Sequence, residues 1–135
     1  MEESTFKVPS ALNQLHRIRK YAERRANELG FSEQEIHDIG LCVHEALTNA
    51  VVHGNRLDER KVVHVRFSTT DDFFGVSIQD EGEGYDVAKA LQQLHHPEST
   101  EKTSGRGLLL ILKLMDNVIF RQNGREIYLG KARNR

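Results

Sequence analysis

The chain has 135 residues, a formal net charge of −1, and 38% hydrophobic and 29% charged residues. That is the make-up of a globular protein long enough to bury a real core. The near-neutral balance argues against general affinity for nucleic acid or for a membrane surface. Cys42 is the one cysteine; it has no partner for an internal disulfide, reads as a small core residue, and fits a cytoplasmic protein. No apolar run is long enough to span a bilayer. The N-terminal MEESTFKVPS is acidic and lacks a hydrophobic segment, so it does not read as a signal peptide. Of seven histidines only His95 and His96 stand together, in a polar stretch, which argues against a metal centre of His and Cys.

In chain order, Ser4 to Val8 predicts a short strand. Ser10 then caps a helix to about Leu29, with Leu12, Leu15, Ile18, Ala22 and Ala26 as its apolar stripe and Gly30 as its stop. Ser32 opens a second helix. Glu35 three residues on completes a capping box, and the helix runs to about His53 with Gly54 at its C-terminal cap. Val63, Val65 and Phe67 alternate with Val62, His64 and Arg66 in a strand. Asp71 and Asp72 turn the chain, and Phe74, Val76 and Ile78 share one face of the next strand. A short helix follows from Asp86 to Leu94, then a polar loop from His95 to Gly105. A helix from Gly107 to about Met115 comes next. Two strands, NVIFRQ and REIYLGK, then flank an Asn123–Gly124 turn. Strands in neighbouring pairs with helices between them predict an α+β fold, a two-layer sandwich of one sheet with helices on one face.

Three stretches carry possible chemistry. In HEALTNAVVHGN (His44 to Asn55), Glu45 and Asn49 are four apart and share a helix face flanked by Leu41, Cys42 and Val52. They form either a polar face with an i,i+4 contact or a carboxylate–amide pair suited to proton transfer and Mg²⁺. DEGEGY (Asp80 to Tyr85) directly follows a strand. It is either a glycine-rich turn or a pocket in which Asp80 accepts from an exocyclic amine while Gly82 and Gly84 bring main chain close. TSGRGL offers the hydroxyls of Thr103 and Ser104, the amides of Gly105 and Gly107, and a helix N-terminus. It is either a loop-to-helix junction or an anion cradle, with Arg106 aimed at a phosphate or at solvent.

Taken in this order, the stretches resemble the three boxes of the GHKL ATP-binding superfamily, shared by type II topoisomerases, sensor histidine kinases and mismatch-repair ATPases. EALTNAVVHGN looks like its N box, DEGEG like its G1 box and GRGL like its G2 box. The likeness runs from FKVPS to IYLGKA and is greatest to the small bacterial anti-sigma-factor serine kinases.

The resemblance implies one histidine-kinase-like ATPase domain over residues 1–135. Its fold would be the Bergerat sandwich, a mixed sheet covered by helices on one face. It implies ATP and Mg²⁺, with Asn49 as the metal ligand, Glu45 as general base, and Asp80 on the adenine amine. Gly82 and Gly84 would shape the pocket. His95 to Ser104 would form a mobile lid, and Thr103, Ser104, Gly105, Arg106 and Gly107 would surround the phosphates. His53 either touches the nucleotide or caps the helix with Gly54. The implied partners are a STAS-domain anti-anti-sigma factor, phosphorylated on Ser or Thr, a sigma factor, and a second copy in a homodimer; no nucleic acid or membrane is implied, and the location is cytoplasmic. Neither a phosphoacceptor-histidine hairpin nor topoisomerase-type further domains are expected. The other functional reading is a non-catalytic module that senses ATP or ADP and grips a regulatory partner; a retained Glu45 favours the kinase.

Overall fold

The computed structural model describes residues 1–94 and 103–134. The chain runs β1 (Glu2–Pro9), α1 (Leu15–Glu28), α2 (Glu33–Thr48), β2 (Val62–Thr69) and β3 (Phe73–Gln79). It continues through α3 (Val87–Gln93), α4 (Thr103–Leu114), β4 (Asn117–Arg121) and β5 (Glu126–Ala132). This is the expected α+β order. Of the expected lid from His95 to Ser104, residues 95–102 lie outside the described residues, and Thr103 and Ser104 open α4.

The first helix begins differently from the expectation. Ser10 does not cap it; it is buried, and its hydroxyl donates to the Lys61 carbonyl at 2.7 Å. A 3₁₀ turn over Leu12–Gln14 leads into α1 at Leu15. Leu12, placed in the stripe by sequence, is therefore out in solvent, while Leu15, Ile18, Ala22 and Ala26 are buried.

At α2 the capping box forms: Ser32 Oγ accepts the Glu35 N–H at 3.1 Å and Glu35 Oε1 accepts the Ser32 N–H at 2.9 Å. The other oxygen of Glu35 accepts the Asn134 N–H at 2.9 Å, which ties the last strand's exit to the start of α2. Burial raises the pKa of this carboxyl, but the hydrogen bonds from Ser32 and Asn134 outweigh burial and leave it below the ordinary value. After Thr48 the helix widens into a π turn over Asn49–Gly54, closed by the Asn55 N–H to the Ala50 carbonyl at 2.8 Å. A π turn rotates the following residues away from the face that a 3.6-residue period predicts, and such turns are frequent at functional sites.

The five strands form one sheet in the order β1-β2-β3-β5-β4, antiparallel at every neighbouring pair. The mixed sheet expected from the family resemblance is not found. The crossover from β3 through α3 and α4 makes β4 run in the same sense as β3, but β5 folds back between them. Parallel strands are thus never neighbours. Val63, Val65 and Phe67 of β2 and Phe74, Val76 and Ile78 of β3 join Ile18, Ile39, Val43, Leu47 and Ile111 of the helices in one core. Cys42 is fully buried there, and loss of solvation pushes its thiol up to about 12. Aromatic edges lock α1 to the sheet, with Tyr21 4.8 Å from both Phe6 and Phe67 between ring centroids.

Candidate functional site

The end of α2 with its π turn, the loop after β3, α3 and the β4–β5 loop surround a cavity of about 850 Å³. That volume suits a ligand of nucleotide size. Asn49, His53, Asp80 and Gly84, all marked by sequence, line this one cavity together with Gly54 and Tyr85. Ile78, Ile127 and Leu108 give it apolar wall, and Arg56, Lys89 and Arg125 give it cations. The carboxylates of Asp80, Glu83 and Asp86 lie among these cations, and the apolar wall suits a flat ligand part.

Asp80 directly follows β3 and is 9% exposed. Its Oδ1 accepts the Gly82 N–H at 2.8 Å and its own N–H donates to the Arg125 carbonyl at 2.9 Å. Oδ2 has no hydrogen-bond donor among the described residues. Burial raises the pKa; the Gly82 N–H and the charges of Arg125 and Lys61 offset only part of this, so the carboxyl stays above the usual aspartate value. A carboxylate oxygen that lines the cavity without a protein donor is open to accept a ligand N–H.

The glycines act through close backbone packing. A Cβ on Gly82 would overlap the Gly54 carbonyl, and a Cβ on Gly54 would overlap the Asp80 carboxylate. Gly54 thus serves the site more than a helix cap; it lacks the left-handed φ of a C-terminal glycine. Gly84 has φ +79°, and a Cβ there would overlap the Asn123 carbonyl. The Tyr85 N–H donates to that same carbonyl at 2.7 Å, so the β4–β5 turn forms one side of the site.

Glu45 lies one turn before Asn49, half buried, and is not among the cavity's lining residues. Its Oε2 packs on α4 at Gly107, where a Cβ would stand 2.6 Å away. The helix expected from Gly107 begins instead at Thr103, so Gly105, Arg106 and Gly107 lie inside α4. By helix geometry the amides of Thr103 to Gly105 have no intrahelical acceptor, whereas those of Arg106 and Gly107 do. Gly107 is thus explained by its packing against Glu45 and not by a free amide. Arg106 is exposed and Leu108 is buried.

Sequence reasoning passed over Asn55, which is fully buried and bonded to Ser10, Val62 and Glu81. Its only sequence signal is its place after a glycine at a helix end, where an asparagine reads as a turn residue. Tyr85 closes a marked stretch but was given no role, and Arg125 was unmarked because it reaches the cavity from the β4–β5 turn.

This fold and cavity are those of a nucleotide-binding sandwich, and the model of the histidine kinase-like ATPase domain matches residues 8–131. The chain is 37% identical to the serine-protein kinase RsbW of Oceanobacillus iheyensis over 93% of its own length and 84% of that protein. It is 33% identical to the RsbW of Bacillus subtilis, covering 84% of this chain and 74% of that one. It is 30% identical to the anti-sigma F factor of Clostridium perfringens, over 75% of each chain. A crystal structure of the RsbU and RsbW domains of Rv1364c from Mycobacterium tuberculosis superposes with a TM-score of 0.66 at 16% identity, over 99% of this chain and 32% of that longer one, and bears on the fold alone. The chain belongs to the histidine kinase-like ATPase family, in its branch of anti-sigma-factor serine kinases.

Proposed function

We propose that this chain is an ATP-dependent serine/threonine protein kinase and anti-sigma factor that phosphorylates a STAS-domain anti-anti-sigma factor in a partner-switching pathway. The observation that carries the reading is the convergence of Asn49, His53 and Asp80 on one nucleotide-sized cavity, in a chain whose relatives are named serine-protein kinases and anti-sigma factors.

Asp80 accepts the adenine amino group through its free oxygen, and Ile78, Ile127 and Leu108 cover the base. Asn49 would hold Mg²⁺ through its amide oxygen. The donor fits this ion: Asn49 lines the cavity with an amide oxygen, and Mg²⁺ takes few protein oxygens, filling its shell with water and phosphate. When bound, Mg²⁺ neutralises charge on the phosphates, which phosphoryl transfer needs more than covalent help. We assign the amides that open α4 to the same anion, and Arg106 is exposed and so free to reach it. Glu45 takes the proton of the attacking serine hydroxyl. The serine oxygen bonds to the γ-phosphorus, the bond from that phosphorus to the bridging oxygen breaks, and ADP leaves. Residues 1–135 act as one ATPase domain in a homodimer, in the cytoplasm, where a sigma factor is met.

Calorimetric titration with ATP, with and without Mg²⁺, tests the site. Phosphotransfer from labelled ATP to a STAS-domain protein tests the activity. Metal-dependent binding followed by labelling of a serine is expected. Binding without any transfer would leave only a nucleotide-sensing module, and no binding by the folded protein would sink the reading.

A further inference from the structure

Asn55 touches no part of the cavity, yet it holds together the elements that form it. Its carboxamide makes three hydrogen bonds in a fully buried position. Nδ2 donates to Ser10 Oγ at 2.9 Å and to the Val62 carbonyl at 3.1 Å. Oδ1 accepts the Glu81 N–H at 2.7 Å. Ser10 passes the chain on to the Lys61 carbonyl at 2.7 Å. Glu81 is held a second time, because its Oε1 accepts the Val62 N–H at 2.8 Å.

The placement matters because Glu81 lies between Asp80 and Gly82. Fixing its amide fixes the direction in which Asp80 leaves β3. On the other side, Asn55 directly follows Gly54, the residue on which Asp80 and Gly82 pack. The π turn that carries Asn49 and His53 ends there. One buried amide therefore sets the spacing between the helix end that carries Asn49 and the strand end that carries Asp80. Asparagine suits the task because two donors and one acceptor are needed on one short side chain. Aspartate in its place would set a carboxylate oxygen against the Val62 carbonyl.

We propose that Asn55 is a positioning residue for nucleotide binding, acting through Glu81 on Asp80 and so on affinity and selectivity for the adenine base. The inference rests on the nucleotide reading of the cavity.

The test compares Asn55→Asp and Asn55→Ala with Ser77→Ala, which removes a different buried hydrogen bond, to Glu126, outside the cavity lining. Each protein is titrated with ATP and with GTP, and each is melted with and without ATP. The expected result is ATP affinity lower by about tenfold and a smaller preference of ATP over GTP in both Asn55 variants, from the loss of one or two buried hydrogen bonds. Ser77→Ala should lower the melting temperature with affinity and preference kept. An Asn55 variant with wild-type affinity and preference would overturn the proposal. So would a Ser77→Ala protein as impaired in ATP binding as the Asn55 variants, since the effect would then be general loosening. If an Asn55 variant is unfolded alone, a melting temperature with ATP equal to that of ATP-bound wild type also overturns it, and failure to fold at an ATP concentration that saturates wild type supports it. Wild-type protein that takes up no ATP removes the nucleotide reading itself, a result distinct from the others.

Discussion

Gly107 in α4 stands where any Cβ would lie 2.6 Å from Oε2 of Glu45 in α2. The contact couples the helix that follows the expected lid to the residue assigned as base. A carboxylate at the end of a flexible side chain can swing away, so a methyl group here displaces Glu45 and leaves the backbone in place. Gly107→Ala should keep or raise the melting temperature, because alanine favours a helix over glycine by about 1 kcal/mol. Phosphoryl transfer should nonetheless fall by about a hundredfold, since a general base contributes at least that much. Thermal melts beside transfer rates decide the point; a stable variant with full activity would remove Glu45 as base.

The neighbouring glycine pair behaves in the opposite way. A Cβ on Gly82 meets the Gly54 carbonyl, which is backbone and cannot swing aside. Gly82→Ala should destabilise the protein by about 1–3 kcal/mol, as overpacking does. It should also weaken ATP binding, because Asp80 and Gly54 move with it. Denaturant unfolding and ATP titration of one sample report both effects.

At the metal, Asn49→Ala should abolish the difference between ATP titrations with and without Mg²⁺ while the protein stays folded. Asn49 is only half buried, so its loss leaves no large void. Equal metal dependence in variant and wild type would end its role as ligand.

Acidity gives two opposite signs. The Asp80 pKa is raised by burial, so the charged acceptor is lost as pH falls at values above the ordinary aspartate range. ATP affinity should start to drop there, earlier than for an exposed aspartate. Glu35 has a lowered pKa despite its burial, held down by its hydrogen bonds. Its contribution to stability is fully present above the unfolded glutamate value and fades as pH falls through the folded one. Affinity should therefore fail before the fold does on acidification, as parallel ATP titrations and melts across the acid range will show.

Cys42 offers a check on packing. Its thiol is fully buried and pushed up to about 12 by lost solvation, so it is neutral at ordinary pH. A thiol reagent should label native protein far more slowly than unfolded protein, and rapid native labelling would place α2 elsewhere.

Much of this was legible in the chain itself, because local rules decide local structure. The capping box at Ser32 and Glu35 needs only a side chain and the amide three residues away. The alternation of Val63, Val65 and Phe67 needs only the two-residue period of a strand. Asn49, His53, Asp80 and Gly84 were marked by residue type and by family likeness, and all four meet at one cavity. What the tertiary structure decided depends on partners distant in sequence. Ser10 looked like a cap until Lys61 and Asn55 supplied its hydrogen bonds. Gly54 and Gly107 looked like a helix end and a helix start until Asp80 and Glu45 were seen packed against them. Asn55 looked like a turn residue because its three partners lie as far away as Ser10 and Glu81. A sequence pattern reports the period of the backbone; which groups close on one another across the core is set by packing, and that is known only once the chain has folded.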